Sequence, residues 1–135
     1  MLLILISIIV IAGCSIPEYY IDIHYPEKIS QEKPFNLEIF VTNARYGTQI
    51  ELESIYLVGE LALISKLWPN RQGAYFKQQE SGFITALLWR KLAAFETGCF
   101  SMTLLLGGKG TYTSTLTFYI DGKKIEKDIK VEVMD

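Results

Sequence analysis

The chain has 135 residues, a length typical of one globular domain. Half of its residues are hydrophobic and 13% are aromatic, so the chain can build a packed core. Its formal net charge is −2, from 13 basic and 15 acidic residues without a basic block, which argues against nucleic acid as a partner.

The first thirteen residues differ in character from the rest of the chain. Residues 1–13 carry no charged side chain, and Leu2 to Ala12 form a nearly continuous apolar run. The run is shorter than the roughly 20 apolar residues that span a bilayer. It does fit the apolar core of a secretory signal, about 7–15 residues long and closed by small residues such as Ala12 and Gly13. We therefore predict a signal segment over residues 1–13.

A short motif follows the apolar run. Ile11-Ala12-Gly13-Cys14 resembles the lipobox of prokaryotic lipoproteins, in which an aliphatic residue and two small residues precede an invariant cysteine. The resemblance implies that Cys14 Sγ receives a diacylglyceryl group and that cleavage follows Gly13. Two acyl chains anchor a protein stably, whereas one binds a membrane only marginally. An ordinary signal, or a short anchor in which Cys14 is incidental, is the alternative.

The lipobox resemblance implies an address and partners for the mature protein. It places the chain in the cell envelope, on the outer side of the cytoplasmic membrane or on the outer membrane. The expected partners are the membrane, through the lipid on Cys14, and another envelope protein. We expect residues 14–29 to form the tether and the start of the first strand, and residues 30–135 to form the domain. Once Cys14 is lipidated, Cys99 has no cysteine to pair with, and we expect a small buried hydrophobe rather than a reactive thiol.

Alternating apolar residues predict a series of short β-strands along the mature chain. The second half of one run changes parity, which indicates a β-bulge near Ser54. Several such strands with turn signals between them are typical of an all-β sandwich. The alternating runs cover Tyr19–Tyr25, Phe35–Val41, Ile50–Leu57 and Phe100–Leu106.

The clearest local signal is the dipeptide Asp121-Gly122, a strong two-residue hairpin turn because glycine readily takes positive φ. The turn and the alternation on both sides of it give the same register. The predicted pairs are Ile120 with Lys123, Phe118 with Ile125, Leu116 with Lys127 and Tyr112 with Val131.

A second motif lies at the start of the strand that leads to this turn. Gly110-Thr111-Tyr112 resembles the tyrosine corner of immunoglobulin-like sandwiches, where the tyrosine hydroxyl bonds to backbone a few residues upstream. The resemblance covers roughly residues 21–133. It implies an immunoglobulin-like antiparallel β-sandwich of the kind found in envelope modules, without the Cys-Trp-Cys set of antibody domains.

Residues 60–96 have mixed periodicity. Phe83, Leu87, Leu88 and Leu92 fit a helix about as well as a strand. We expect this region to be an elaborated connection between the two sheets, with one short helix.

The sequence contains few residues that could carry chemistry. His24 and Asp22 share one face of a predicted strand and could bind a metal or act as acid and base, but a solvated strand face explains them better. Paired-cysteine, H-x-x-x-H, Gly-x-Ser-x-Gly and phosphate-binding motifs are missing from the sequence. We therefore expect no enzyme activity, no cofactor and no metal site.

Aromatic and polar residues cluster in the irregular middle of the chain. Exposed aromatics beside amide and guanidinium groups are typical of a sugar- or peptide-binding rim. The candidate residues of this rim are Trp68, Asn70, Arg71 and Tyr75. For Trp68 core packing is an equal alternative, and for Trp89 we expect core packing. The sequence thus indicates a non-catalytic interaction or structural module, with a sugar- or peptide-binding lipoprotein as the alternative.

Overall fold

Two β-sheets account for most of the chain that the computed structural model describes, namely residues 18–67, 75–79 and 83–134. Ten strands and one short helix lie within those ranges. In chain order they are β1 (Tyr19–His24), β2 (Lys28–Ser30), β3 (Phe35–Asn43), β4 (Ile50–Gly59), α1 (Glu60–Ile64), β5 (Lys66–Leu67), β6 (Lys77–Gln78), β7 (Ile84–Leu92), β8 (Thr97–Leu105), β9 (Gly110–Ile120) and β10 (Lys123–Met134). None of the described residues belongs to a helix with the length and apolar character needed to cross a membrane.

The strands divide into a four-stranded sheet, ordered β1-β3-β8-β5, and a six-stranded sheet, ordered β2-β10-β9-β4-β7-β6. Neighbouring strands run antiparallel, except that β2 pairs parallel with β10. The predicted all-β sandwich is therefore confirmed. Because β1 pairs with β3 along its whole length, the chain enters the sandwich at Tyr19, within the segment 14–29.

The core lies between the two sheets because successive side chains of a strand point to opposite faces. In β3 every second residue from Phe35 to Asn43 is buried, and in β8 every second residue from Gly98 to Leu104. Both sheets and α1 contribute large side chains that are fully buried. These are Phe100, Phe118, Leu37, Ile39, Ile50, Leu52, Ile55, Leu57, Leu61, Ile84, Leu92 and Met102.

The strands β9 and β10 form the predicted hairpin, with Asp121 and Gly122 at its tip. Both turn residues take positive φ, 51° and 76°. This is the backbone of a two-residue turn whose twist matches that of the flanking strands, and Gly122 adopts it without a Cβ penalty. All four predicted pairs occur, among them Phe118 with Ile125. The register prediction is confirmed.

The tyrosine corner is also present. The Tyr112 hydroxyl lies 2.9 Å from the carbonyl oxygen of Lys109 and 3.1 Å from that of Gly108. A Cβ atom on Gly108 or Gly110 would come within 3.2 Å of the same hydroxyl oxygen, so the two glycines leave room for it. The corner fixes the loop between β8 and β9 at the point where β9 begins.

The middle of the chain resolves into short elements that cross between the sheets. The register of β4 shifts between Leu52 and Ser54 against both of its neighbours, which confirms the predicted bulge. The expected short helix is α1, after which the chain joins the four-stranded sheet as β5 and returns to the six-stranded sheet as β6. Periodicity alone fits either a helix or a strand for residues 84–92. The structure shows that they form strand β7.

Cys99 corrects one of the sequence expectations. Its thiol is free and exposed, so the prediction of a buried cysteine is wrong. Cys99 follows the buried Gly98 and precedes the fully buried Phe100, and successive residues of a strand cannot face the same side. The larger ring takes the core position, and the thiol lies on the outer surface of the four-stranded sheet, opposite Phe40.

A buried amide joins two loops at one end of the sandwich. Asn43 is fully buried, and its Nδ2 donates hydrogen bonds to the carbonyl oxygens of Thr48, at 2.7 Å, and Leu92, at 3.0 Å. Its Oδ1 accepts a hydrogen bond from the backbone N–H of Arg45 at 2.8 Å. Because buried polar groups are stable only when paired, this amide fixes the loop after β3 against the end of β7.

The tyrosine corner gives a first prediction. Tyr112→Phe removes the hydroxyl but keeps the ring, so we expect the free energy of unfolding to fall by about 0.5–1 kcal/mol, the typical net value of one hydrogen bond. Equilibrium unfolding in urea measures the change. The matched control is Tyr119→Phe, because the Tyr119 hydroxyl has no hydrogen-bond partner among the described residues; equal losses in the two variants would argue against the corner.

Candidate functional site

Most residues of the predicted aromatic rim lie outside the part of the chain that the structure describes. These are Trp68, Asn70 and Arg71, and Cys14 also lies outside it. Of the rim, the structure describes Tyr75, whose side chain is 48% exposed and whose ring meets Phe100 edge-on at 5.4 Å between centroids. The rim and the lipidation site therefore remain predictions.

Trp89 corrects the second sequence expectation, because it does not pack in the core. Its side chain is 63% exposed. Even-numbered residues of β7 face the other sheet, and Arg90 takes the inward position next to Trp89. The Arg90 guanidinium lies 5.6 Å from the centroid of the buried Phe100 ring, a favourable cation–π distance. Arg90 thus takes the inward position, and the Trp89 indole lies in solvent.

The backbone at Trp89 is strained as well as exposed. Its φ is +46°, in the left-handed region that bulky side chains rarely occupy. A non-glycine residue held there costs on the order of 1–3 kcal/mol. The position lies beside the irregular pairing of β7 with β4, where Leu52 faces Arg90 but Ser54 faces Leu87. Strain of this kind at an exposed tryptophan is a recognised mark of functional sites.

Four large side chains occur on the outer surface of the six-stranded sheet, and we call them the aromatic face: Tyr56, Leu87, Trp89 and Tyr119. Leu87 is 68% exposed. The rings of Tyr56 and Tyr119 meet edge-on at 5.7 Å, a favourable aromatic geometry. In the register, Leu87 lies across from Ser54, which in turn lies across from Tyr119. The aromatic face therefore extends over β7, β4 and β9.

Small residues separate the large ones on this surface. Ser54 and Thr117 are each only 7% exposed although they belong to the outward-facing positions. Thr117 lies directly across from Tyr56 in the register. The low exposure of Ser54 and Thr117 indicates that their larger neighbours cover them.

The chemistry of the aromatic face is that of a binding surface. Tryptophan and tyrosine dominate the binding energy of protein interfaces, and contiguous exposed apolar groups mark interaction sites. The sequence signal for this face was that Leu87 and Trp89 occupy odd-numbered positions of the strand. The core residues Ile84 and Ala86 occupy even-numbered ones. That signal is ambiguous without the structure because Leu88 and Leu92 continue the other parity.

His24 lies where the sequence places it, exposed on the outer surface of the four-stranded sheet. Its ring centroid lies 5.1 Å from that of Phe40. An open cavity of about 620 Å³ beside His24 is also lined by Lys33, Asn36 and Glu38. Within the described ranges, no three residues among His, Cys, Asp and Glu are grouped so that they could hold a metal ion. His24 is thus engaged in a ring contact on a solvated strand face.

The exposure of Trp89 gives a second prediction. Asparagine tolerates left-handed backbone, so Trp89→Asn should leave the free energy of unfolding unchanged or raise it by about 1 kcal/mol as strain is released. A core aromatic behaves differently, and Phe100→Ala, the control, should lose about 3–5 kcal/mol. Thermal or urea unfolding of both variants measures these changes and shows whether Trp89 behaves as a surface residue or a core residue. A loss for Trp89→Asn as large as that of the control would return Trp89 to the core.

Comparison with known proteins shows which class of fold the domain has. No protein-family model and no curated protein sequence matches the chain. Among solved structures it is similar to the CARDB domain of a Pyrococcus furiosus protein in complex with di-metal ions, with a TM-score of 0.56 at 13% identity over 87% of this chain and 89% of that one. It is also similar to a cohesin module from a Clostridium perfringens family 33 glycoside hydrolase, with a TM-score of 0.55 at 12% identity over 85% of this chain and 96% of that one.

A third similarity is to E. coli α-2-macroglobulin, with a TM-score of 0.61 at 14% identity. The match covers 87% of this chain but 7% of that much longer one. At these identities the likeness concerns the fold alone. With the two sheets and the tyrosine corner described above, it identifies the domain as an all-β, immunoglobulin-like antiparallel β-sandwich.

Proposed function

We propose that the chain is a lipid-anchored envelope protein whose sandwich is a non-catalytic interaction module, and that the aromatic face is its contact surface. The observation that carries the proposal is the pair Leu87 and Trp89, 68% and 63% exposed on one sheet face. Neither residue contributes its side chain to the core, and Trp89 holds a strained backbone. A surface that costs stability without adding to the core is best explained by a partner.

The chemistry of the face favours another protein as that partner. Fully burying a leucine-sized side chain is worth about 1.5–3 kcal/mol, and aromatic residues add specific ring contacts. Charged residues border the face: Lys91 continues the exposed positions of β7, and Lys124 lies across from Tyr119 on β10. An apolar centre with a charged rim is the usual arrangement of protein interfaces.

The anchor part of the proposal is supported by the lipobox and by where the fold begins. Cys14 precedes Glu18, the first described residue, by four positions. A lipid on Cys14 would therefore hold the sandwich close to a membrane surface. This is a suitable arrangement for a module that contacts other envelope proteins.

The sugar- or peptide-binding alternative depends on Trp68, Asn70, Arg71 and Tyr75. Its described member, Tyr75, turns one edge of its ring to Phe100 and leaves about half of its side chain in solvent. Leu87 and Trp89 of the aromatic face are each more exposed than Tyr75, and the face carries two further rings, Tyr56 and Tyr119. We therefore place the interaction there.

Lipidation gives the third prediction. Mass spectrometry of the mature protein, isolated from membranes, should find a diacylglyceryl group on an N-terminal Cys14. Cys14→Ser should move the protein out of the membrane fraction, whereas the control Cys99→Ser should leave its fractionation unchanged because the Cys99 thiol is free. An intact Met1 terminus would contradict the anchor.

The contact surface gives the fourth prediction. A photo-reactive phenylalanine analogue at position 87 or 89 should cross-link to a protein when cells are illuminated, because both side chains project from the proposed interface. The same analogue at Asp22, exposed on the opposite sheet, is the matched control. Equal adducts at all three positions, or none at 87 and 89, would contradict the assignment of the interface.

A further inference from the structure

One end of the sandwich gathers the start of the fold and three connections between strands. The backbone N–H of Ala44 donates a hydrogen bond to the carbonyl oxygen of Glu18 at 3.0 Å. The Asp121-Gly122 turn lies at the same end, because the Glu18 carboxylate pairs with Lys123 Nζ at 3.0 Å. The first described residue is thus fixed beside the loop that joins β3 to β4. We call this region the Glu18 end.

Two aromatic side chains project from the Glu18 end. Tyr46, in the β3–β4 loop, is 88% exposed, and Phe95, in the turn between β7 and β8, is 62% exposed. Their ring centroids lie 6.2 Å apart, so the two loops present a single aromatic pair. Ala93, in the same turn as Phe95, is also exposed. The two rings form an apolar tip at this end of the sandwich. Loops on the protein surface usually carry polar side chains instead.

The Phe95 side of this tip is rigidly held and strained. Phe95 has a φ of +63°, in the left-handed region, where asparagine or glycine is the usual choice. Its backbone N–H donates to the carbonyl oxygen of Asn43 at 2.8 Å, and the Asn43 N–H donates to the Glu96 carbonyl oxygen at 3.0 Å. Because the Asn43 amide is buried and fully paired, the turn keeps Phe95 exposed at a cost to folding. The cost indicates that the exposed ring has a use.

The length of chain between Cys14 and Glu18 limits how far the Glu18 end can lie from a lipid on Cys14. Four residues span at most about 14 Å when fully extended. The 11-residue strand β9 is about 37 Å long at 3.4 Å per residue, so the tether is much shorter than the sandwich. A lipid on Cys14 therefore keeps the Glu18 end near the membrane surface, whereas α1, which follows the far end of β4, can lie a full strand length away.

We infer that Tyr46 and Phe95 bind the interfacial region of the lipid bilayer, an inference that rests on the proposed lipidation of Cys14. Aromatic rings are favoured at the boundary between head groups and acyl chains, where an apolar body and a polar edge are both accommodated. The lipid holds the domain at the membrane, and the aromatic pair sets its orientation. The six-stranded sheet then stands away from the surface with its aromatic face accessible.

Electrostatics at the Glu18 end is compatible with a lipid surface. Arg45 pairs with Glu18 through Nη2, and its Nη1 lies 3.8 Å from Asp121 Oδ2. Lys123 completes a cluster of two carboxylates and two cations. Because these carboxylates are compensated, they do not oppose the approach of anionic head groups, whose attraction for cations falls off within a Debye length.

The test places an environment-sensitive fluorophore at three positions of the full, lipidated chain. Tyr46→Cys, Phe95→Cys and, as the matched control, Leu63→Cys are each made together with Cys99→Ser, so that one thiol is labelled. Leu63 is 65% exposed and lies in α1, at the opposite end of the sandwich. Each protein is reconstituted in phosphatidylethanolamine–phosphatidylglycerol vesicles that carry a nitroxide near the head group. We expect loss of emission and a blue shift at positions 46 and 95, and neither at position 63.

The outcomes separate this inference from the proposed function. Vesicle-bound protein with unquenched labels at 46 and 95 would overturn the orientation and leave the lipid anchor in place. Protein that does not remain with the vesicles would overturn the anchor and the inference together. A blue shift that grows with protein density, without nitroxide quenching, would assign the pair to a contact between copies of the chain and would also overturn it.

Discussion

The turn at Asp121-Gly122 sets the register on which the six-stranded sheet depends. Its two positive φ angles fix β9 against β10, and a slip by one residue would move Leu116 and Phe118 from the core into water. The turn also reaches the neighbouring strand, because Asp121 N–H donates to the Glu51 carbonyl and Glu51 N–H donates to Asp121 Oδ1. Three adjacent strands therefore share one reference point, and the aromatic face inherits its alignment from it.

Features that depend on neighbouring residues along the chain could be predicted from sequence. The hairpin, the tyrosine corner and the bulge near Ser54 each follow from backbone preferences within a few positions, and the structure contains all three. The buried face of most strands then follows from alternation, because outside β7 one face of the strand is more apolar than the other. The two-sheet architecture was accessible for the same reason.

Features that depend on a choice between two apolar faces could not be predicted. Along β7 both parities are apolar, and Arg90 rather than Trp89 takes the inward position beside Phe100, a contact that only the assembled sandwich brings together. Cys99 loses its expected core position to the same phenylalanine. Trp89 of the aromatic face was consequently expected in the core. Of the candidate rim, Trp68, Asn70 and Arg71 stay predictions.

The left-handed backbone at Trp89 and Phe95 also has a consequence for the evolution of related chains. Both positions carry the kind of residue that selection for stability alone would replace with asparagine or glycine. On the proposed function, a bulky ring is kept at each position for the surface that it presents. In a set of homologous sequences, an aromatic residue at either position would mark lineages that retain the corresponding contact, and a drift to asparagine would mark lineages that have lost it. Substitutions at position 89 would therefore report on the aromatic face, and substitutions at position 95 would report independently on the Glu18 end.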